Sequence, residues 1–455
     1  MNTRDSEPIF PGARSALALL LLINLFNYID RYVLAAVVGP IKRTFFPQGA
    51  GTGAYGSAFI SSVINWFQLR LGFKPEDALL GLLGTAFMLL YMIGSPVFAR
   101  LAERVSRWWI VALGVLLWSL ASGASGLAGG FLALLLTRCC VGIGEAAYGP
   151  VAPAMLSDMY PVQTRGKVLA WFYAAIPVGS ALGYVLGGFI ANSDIGQWSA
   201  GLTGITTESW RWAFFIVTIP GILLGLRSIF MREPPRGKAL ERRAVPWRNY
   251  LVLARTPSYV LCTLGMAAMT FAIGGIGFWM PYYLETRPGA PENSTVYFGA
   301  ILAAAGLGAT LLGGIAGDKL RDRFAGSYFL VSGIAMIAGF PIFMAALHAP
   351  FPWAIWVMIF LACFCLFFNT GPTNTILANV THPSVRAVGF ALNIFVIHAL
   401  GDVISPVIIG LLNDYYGDMN KSFILVGLTF LAAGMLWLIG MRYLERDTAR
   451  AAKGD

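Results

Sequence analysis

The sequence predicts an all-α membrane protein in which twelve transmembrane helices form two pseudo-symmetric halves of six. Of its 455 residues, 57% are hydrophobic and 12% are charged, whereas soluble chains carry about 25% charged residues. Apolar runs of about 20 residues, long enough for a helix to cross the hydrocarbon core, recur along almost the whole chain. The runs are continuous and lack the alternation of barrel strands, so helices are the predicted spanning elements.

Charged or Pro- and Gly-rich breaks delimit the apolar runs. The runs cover residues 15–41, 78–101, 107–127, 130–158, 165–192, 210–231, 258–285, 293–318, 325–347, 351–379, 384–413 and 420–444. The least hydrophobic stretch between spans leaves six runs on each side of it. The predicted organisation is a tail of residues 1–14, an N-terminal half of 15–231, a basic linker of 232–257, a C-terminal half of 258–444 and a second tail of 445–455.

Lys and Arg residues are distributed unevenly between alternate connections. Most of the 32 fall in the two tails, the linker and the connections on the same side of the membrane as these segments. Because positive charge marks the cytoplasmic side, both termini are predicted to be cytoplasmic, in a plasma or inner membrane. The net charge of +10 is therefore interpreted as a topology signal, with attraction to anionic membrane lipids as a secondary effect and no nucleic-acid partner.

Two connections are predicted to carry surface helices. The long outside connection, residues 42–77, places Phe59, Ile60, Val63, Ile64, Phe67 and Leu71 at helical spacing. This stripe fits an interfacial helix on the outer leaflet, and equally a cap packed on the spans. The linker 232–257, which is rich in Arg and contains Trp247, is predicted to hold a similar helix on the inside.

A short pattern recurs at equivalent points of the two halves. A small residue is followed four positions later by an acid and then by a base. The first copy is Ala99, Glu103 and Arg104 and the second is Gly314, Asp318 and Lys319, each 215 residues later. Such repetition indicates a duplicated transporter.

This pattern resembles the cytoplasmic signature of the major facilitator superfamily, and the resemblance covers the whole chain. Two departures are Ala99, where the family usually has Gly, and Glu103, where it usually has Asp. In that family the acid and base latch the two halves together on the cytoplasmic side. The resemblance therefore implies a cytoplasmic gate made of Glu103, Arg104 and Arg107, with Asp318 and Lys319 as its counterpart.

Four ionisable residues lie inside predicted spans. Asp30 and Arg31 are adjacent in the first span, and Arg138 and Glu145 share one face of the fourth. A buried carboxylate beside a cation can change its proton occupancy during transport, so Asp30 and Glu145 are the predicted proton-coupling residues. Arg31 and Arg138 are the predicted contacts to an anionic substrate. The alternative is a pair of static ion pairs that hold the bundle together.

Other candidate site residues are mostly neutral. Tyr28 of the first span, Trp279 of the seventh, and Asn369 and Asn374 of the tenth are predicted substrate contacts. In the eleventh span His398 and Asp402 are i, i+4 neighbours that can touch. They form a second polar site, for which a functional role and a purely structural one remain equal alternatives.

The buried charges resemble features of two branches of the superfamily, proton symporters of organic anions such as sugar acids and the Spinster family. The eleventh-span string from His398 to Pro406 resembles Spinster alone. This resemblance implies a proton-coupled transporter that works by alternating access on an amphipathic anionic lipid of the lysolipid or sphingoid type. The alternative is a proton symporter of small organic anions.

Proteins of other classes fit the sequence less well. A membrane-embedded enzyme needs a cluster of catalytic or metal-binding groups, but His348, His382 and His398 lie on separate elements. A receptor does not require the duplicated gate. We therefore predict no enzymatic activity, no metal and no cofactor. The expected partners are a small-molecule or lipid substrate, protons and membrane lipids, and the chain is compatible with a monomer.

Overall fold

A computed structural model describes residues 10–47, 57–203, 207–233, 252–289, 291, 293–321, 323–382 and 385–453. The described part of the chain is helical. Its helices are α1 (Ala13–Ala36), α2 (Val38–Phe45), α3 (Ala58–Leu71), α4 (Glu76–Leu101), α5 (Arg107–Gly126), α6 (Phe131–Tyr148), α7 (Val151–Met159), α8 (Val162–Ala191), α9 (Ile195–Thr203), α10 (Ser209–Ile229), α11 (Pro257–Thr286), α12 (Ser294–Arg321), α13 (Ser327–Leu347), α14 (Pro352–Phe367), α15 (Thr370–Val380), α16 (Arg386–Ile397), α17 (Ser405–Tyr416), α18 (Met419–Gly440) and α19 (Leu444–Lys453).

Among these residues, twelve helical stretches are long and apolar enough to cross a membrane, as the sequence predicts. The fourth span joins α6 to α7, the tenth joins α14 to α15, and the eleventh joins α16 to α17. Two of the differences from the predicted span ends have a clear structural cause. The first span ends at Ala36, because the helix breaks at Val37 before α2. The last ends at Gly440, and the predicted C-terminal tail continues as the separate helix α19.

The chain divides into two compact units. Unit 1 contains Met1–Gly72, Leu82–Glu241 and Glu292–Gly299, and unit 2 contains Phe73–Gly81, Arg242–Pro291 and Ala300–Asp455. The main division falls within the predicted linker. Most of that linker, including the surface helix predicted there, lies outside the described residues.

In unit 1, α1 packs against α8, and α5 packs against both α6 and α10. The contact between α5 and α6 is close because both helices carry glycine where they meet. A Cβ atom on Gly144 would lie 2.8 Å from the carbonyl oxygen of Gly114, too near for any side chain. This approach holds the next residue of α6, Glu145, in the interior of the unit.

In unit 2, α18 packs against α11 and α13. The eleventh span contains a π-helical turn at His398–Asp402 between α16 and α17. This turn packs on α11 where a Cβ atom on Gly274 would lie 2.7 Å from Cα of Asp402. π-turns within α-helices are frequent at functional sites.

The first turn of α4 is also part of unit 2. The carboxylate of Asp414, in α17, accepts hydrogen bonds from the backbone N–H groups of Asp77 (2.9 Å) and Ala78 (2.8 Å). The amide of Asn413 donates to the carboxylate of Asp77 at 2.6 Å. An aspartate distant in sequence therefore caps the N-terminus of the second span.

Two helices outside the spans are anchored on one side. In α3, Ile60 and Ile64 are buried, whereas the stripe of Phe59, Trp66 and Leu69 is exposed. In α19, the buried carboxylate of Asp447 accepts a hydrogen bond from the backbone N–H of Ser258 at 2.9 Å. The tail helix thus caps the N-terminus of α11.

Candidate functional site

The predicted charged residues of the first and fourth spans meet in the interior of unit 1. The guanidinium of Arg31 contacts Oε2 of Glu145 through two nitrogens, at 2.6 Å from Nη2 and 2.7 Å from Nε. The Glu145 side chain is fully buried, and that of Arg31 is 14% exposed. Glu145 is therefore paired between helices, and not along α6 with Arg138.

Three aromatic rings surround the guanidinium of Arg31. Its central carbon lies 4.9 Å from the ring centroids of Tyr28 and Tyr91, and 5.0 Å from that of Phe87. Each ring attracts a cation by about 0.5–2 kcal/mol, depending on solvation. The rings stabilise the cation in an apolar environment, and a small part of the Arg31 side chain remains exposed.

Asp30 and Arg138 are held by a neighbouring helix. The hydroxyl of Ser122 donates to Oδ1 of Asp30, and Nη2 of Arg138 donates to the hydroxyl of Ser125 at 3.0 Å. The two serines are one turn apart on α5. Within the described part of the chain, Asp30 and Arg138 form no direct ion pair. Arg138 is buried at 1% exposure, so a substrate reaches it only after a rearrangement.

Three buried atoms of this group have no hydrogen-bond partner among the described residues: Oδ2 of Asp30, Nε of Arg138 and Oε1 of Glu145. Leaving a buried polar atom unpaired costs about 1–3 kcal/mol, more when the group is charged. Each carboxyl group therefore has one oxygen engaged and one oxygen where a proton can bind without breaking an existing bond.

Three of the neutral candidates of the second half are engaged in structural bonds. Nε1 of Trp279 donates to the carbonyl of Pro406 at 2.8 Å, and the buried Asn369 donates to the carbonyl of Leu366 at 2.9 Å. Asn374 donates to the carbonyl of Thr370 at 2.8 Å, and its side chain is exposed. Of the three, Asn374 alone is exposed in this conformation.

His398 and Asp402 come together as their spacing predicts. Nδ1 of His398 lies 2.9 Å from one carboxylate oxygen of Asp402 and 3.0 Å from the other. Both residues belong to the π-turn, and both are partly exposed. The pair therefore joins the two ends of a local distortion of the helix.

The predicted gate residues differ in their surroundings. Arg107 forms ion pairs with Asp158 and, at 2.8 Å, with Glu233. Glu103 and Arg104 lie on the surface in the turn that follows α4. In the second copy of the pattern, Asp318 accepts a hydrogen bond from the hydroxyl of Tyr328 at 2.8 Å.

Comparison with known proteins agrees with this architecture. The model of the Major Facilitator Superfamily matches residues 20–406. Human protein spinster homolog 1 is 32% identical over 431 residues, which cover 89% of this chain and 74% of the human protein. The chain belongs to the Spinster family of the major facilitator superfamily. It is therefore a multi-pass membrane transporter and not an enzyme.

A second Spinster relative is also similar in sequence, and two solved structures share the fold. The sphingosine-1-phosphate transporter SPNS2 of Danio rerio is 29% identical, with 94% of this chain and 84% of the relative covered. A crystal structure of a bacterial homologue of the human lysosomal transporter Spinster matches with a TM-score of 0.81 at 24% identity, covering 96% and 98% of the two chains. A D-xylose–proton symporter shares the fold at a TM-score of 0.72 and 18% identity, covering 93% and 97%.

Sequence reasoning missed the partners of the charged residues in this Spinster chain. Ser122 and Ser125 carry no signal, because serine is common in transmembrane helices. Asp158 and Glu233 do carry a sequence signal. They are acids at the ends of the fourth and sixth spans, on the same side of the membrane as the first gate turn. Glu233 also accepts hydrogen bonds from Ser106 and from the backbone N–H of Arg107, so it caps α5.

Proposed function

We propose that this Spinster-family protein is a proton-coupled secondary transporter that works by alternating access and moves an amphipathic, anionic, lipid-like molecule. The observation that carries the proposal is the ion pair of Arg31 with Glu145 inside the first and fourth spans. Ionisable residues at membrane depth are costly to keep and are most often functional. Buried ion pairs add little stability compared with apolar packing, so stability alone gives a poor reason for this one.

Binding of a proton to Glu145 favours binding of an anion to Arg31. Oxygen Oε1, which has no hydrogen-bond partner among the described residues, accepts the proton. The carboxyl group then becomes neutral, and the guanidinium loses its counter-charge. A buried arginine without a counter-charge is unfavourable by several kcal/mol, so an anionic substrate group then binds in the place of the carboxylate. Each ligand favours the other by the same free energy, which is the thermodynamic basis of coupling.

Asp30 is the second coupling residue of the proposal. It precedes Arg31 on α1. Ser122 donates a hydrogen bond to one of its carboxyl oxygens, and the other has no hydrogen-bond partner among the described residues. A change in its charge alters the field at Arg31 and at Arg138. Since Arg138 is buried in this conformation, we assign it to a later stage, in which the pocket opens toward α5.

The substrate class is supported by the relatives and by the site. One relative is named a sphingosine-1-phosphate transporter, and sphingosine-1-phosphate is an amphipathic anion. Arg31 offers a cation for an acidic head group, and the rings of Tyr28, Phe87 and Tyr91 line its surroundings with apolar surface. We place both chain termini in the cytoplasm and assign the cluster of Arg107, Asp158 and Glu233 to the cytoplasmic gate.

The test is transport by the full chain in proteoliposomes with an imposed pH gradient. A fluorescent lysophospholipid is followed by extraction with albumin, beside a labelled sugar acid. The wild type should move the lysolipid faster with the gradient than without it. Asp30→Asn and Glu145→Gln mimic the protonated acids, so both variants should bind the lysolipid but lose the response to the gradient.

Matched controls separate coupling from a general loss of charge. Asp194→Asn and Glu445→Gln remove exposed acids outside the spans, and both should respond as the wild type does. If Asp30→Asn and Glu145→Gln also respond normally, the coupling site is elsewhere and His398 with Asp402 is next to be tested. Transport of the sugar acid alone would overturn the substrate class. Loss of folded protein in each single variant, with rescue when Arg31 and Glu145 are both neutralised, would indicate a static ion pair.

A further inference from the structure

A cavity of about 280 Å³ lies in unit 1 where α1 begins and α10 ends. Its polar lining comes from Ser15, Arg227 and Arg232, and its apolar lining includes Phe10 and Phe230. The cavity lies on the membrane face that holds the N-terminal tail and the linker. It is far along the first span from Arg31 and therefore separate from the proposed transport site.

The charge of this cavity is one-sided. Arg227 and Arg232 both line it, and no acidic residue among those described does so. Within the described part of the chain neither guanidinium forms an ion pair. The positive end of α1 adds to this charge, because its N-cap residue Gly12 and Ser15 of its first turn also line the cavity. Two arginines at a concave surface, without an ion pair among the described residues, favour an anion.

The position of the cavity indicates where that anion comes from. The sixth span ends at Ile229, and the next residue, Phe230, is 77% exposed. Because Phe230 directly follows the last residue of the span, its exposed apolar ring lies at the edge of the hydrocarbon core. A ligand in the cavity can therefore place an acidic group on the arginines while its apolar part lies along Phe230.

We propose that this cavity binds the phosphate group of an anionic phospholipid from the adjacent leaflet. Guanidinium groups match phosphate oxygens with paired hydrogen bonds, and basic pockets at the ends of transmembrane helices are suited to phospholipid head groups. The same chemistry would accept a free phosphate ion, and the experiment below distinguishes the two sources.

The bound head group would act on the gate. The carbonyl of Arg232 accepts a hydrogen bond from Nε1 of Trp108 at 2.9 Å, and the next residue, Glu233, holds Arg107 and the first turn of α5. A phosphate that fixes Arg232 thereby fixes the backbone that presents Glu233. The lipid would stabilise the gate cluster and would not itself be transported.

The test measures lipid binding by the purified full chain in detergent, using native mass spectrometry with phosphatidylglycerol and phosphatidylcholine as probes. The wild type should retain phosphatidylglycerol in preference to phosphatidylcholine. Each arginine near an anionic group contributes about 1 kcal/mol, so the double variant Arg227→Gln, Arg232→Gln should lose roughly thirty-fold in affinity. The affinity of the double variant Arg227→Lys, Arg232→Lys should lie between that of the wild type and that of the double glutamine variant.

The control is Arg450→Gln, which removes an exposed cation from α19, outside the cavity. It should retain the wild-type affinity, and all variants should have the thermal stability of the wild type in the absence of lipid. Millimolar inorganic phosphate is the second arm: displacement of the lipid identifies free phosphate as the ligand, and no displacement identifies the head group. Equal binding of the two lipids, or equal affinity of the double glutamine variant and Arg450→Gln, would overturn the proposal.

Discussion

At the scale of single residues, the organisation of the site depends on two serines of α5. Ser122 donates a hydrogen bond to Asp30, and Ser125 accepts one from Arg138. The partners of the acid and of the base therefore lie one turn apart on α5, a helix that carries no charge of its own at this depth. In the neighbouring pair of Arg31 and Glu145, by contrast, the guanidinium contacts the carboxylate directly. The site thus contains one charge pair in direct contact and a second pair separated by hydroxyl groups.

We predict that Ser122→Ala destabilises the protein by about 1–3 kcal/mol, because it leaves both oxygens of the buried Asp30 without a donor. The measurement is the free energy of unfolding in mixed micelles. Ser119→Ala is the matched control. Ser119 lies one turn earlier on α5, and its buried hydroxyl has no hydrogen-bond partner among the described residues, so its removal should leave stability unchanged or raise it. Equal losses in the two variants would contradict the assigned role of Ser122.

The sequence predicts which residues are charged within the spans, but not how they pair. Asp30, Arg31, Arg138 and Glu145 are recognisable because ionisable groups are rare in apolar runs. Pairing depends on how α1 and α6 are rotated about their axes, and a helical wheel of one span contains no information about its neighbour. The spacing of Arg138 and Glu145 therefore predicts a shared face correctly and still does not identify Arg31 as the partner of Glu145.

At the scale of elements, α3 has apolar residues on both of its faces. Ile60 and Ile64 are buried, and Leu69 on the opposite face is 85% exposed. Sequence periodicity gives the helix but not its surroundings, because a face that touches lipid and a face that touches protein are both apolar. The buried face of α3 is expected for a cap packed on the spans. The exposed face is also apolar, so it still requires contact with another apolar surface.

We predict that this exposed face lies in the outer interface of the bilayer. A spin label at Leu69→Cys, in a cysteine-free background in liposomes, should be accessible to oxygen and protected from a water-soluble nickel complex. A label at Asp194→Cys, an exposed acid expected on the same side of the membrane, gives the reference for full exposure to water. The nickel complex should reach it freely. Equal access of the complex to both labels would place α3 in water.

Breaks within spans are only partly visible in the sequence. The first span ends at Ala36 and the eleventh contains the π-turn from His398 to Asp402, yet the hydropathy of both segments continues without interruption. Gly39 and Pro40 are a signal for the first break. The second has signals in Gly401, whose backbone angles are non-helical, and in Pro406, which has no backbone N–H to donate. The close approach at Gly274 is a property of the neighbouring helix and is visible only in the structure.

At the scale of the whole molecule, the distribution of Lys and Arg determines the expected orientation. We predict that single cysteines replacing Arg242 and Lys453, in a cysteine-free background, react with a membrane-impermeant maleimide only from the cytoplasm, and that one replacing Ser57 reacts only from outside. Labelling in intact and permeabilised cells measures this directly. Each position is the control for the others, and the opposite pattern at any of them would invert or break the proposed topology.

The number of spans and the family follow from the sequence because they rest on features repeated many times along the chain. Each of the twelve spans carries its own apolar signal, and the gate pattern occurs twice. The cluster of Arg107, Asp158 and Glu233 has no such repetition. Its members come from the start of the third span, the end of the fourth span and the segment after the sixth, and their meeting depends on the folded bundle.

The cap on the second span has a consequence for the order of biosynthesis. Asp414, whose carboxylate holds the backbone N–H groups of Asp77 and Ala78, follows Asp77 by 337 residues. The ribosome therefore completes the second span long before the group that caps it exists. Until the eleventh span has been inserted, the first turn of α4 must satisfy these donors with water or lipid head groups. A nascent chain arrested before Asp414 should consequently carry a frayed N-terminal end on its second span, which protease or hydrogen-exchange probes can detect.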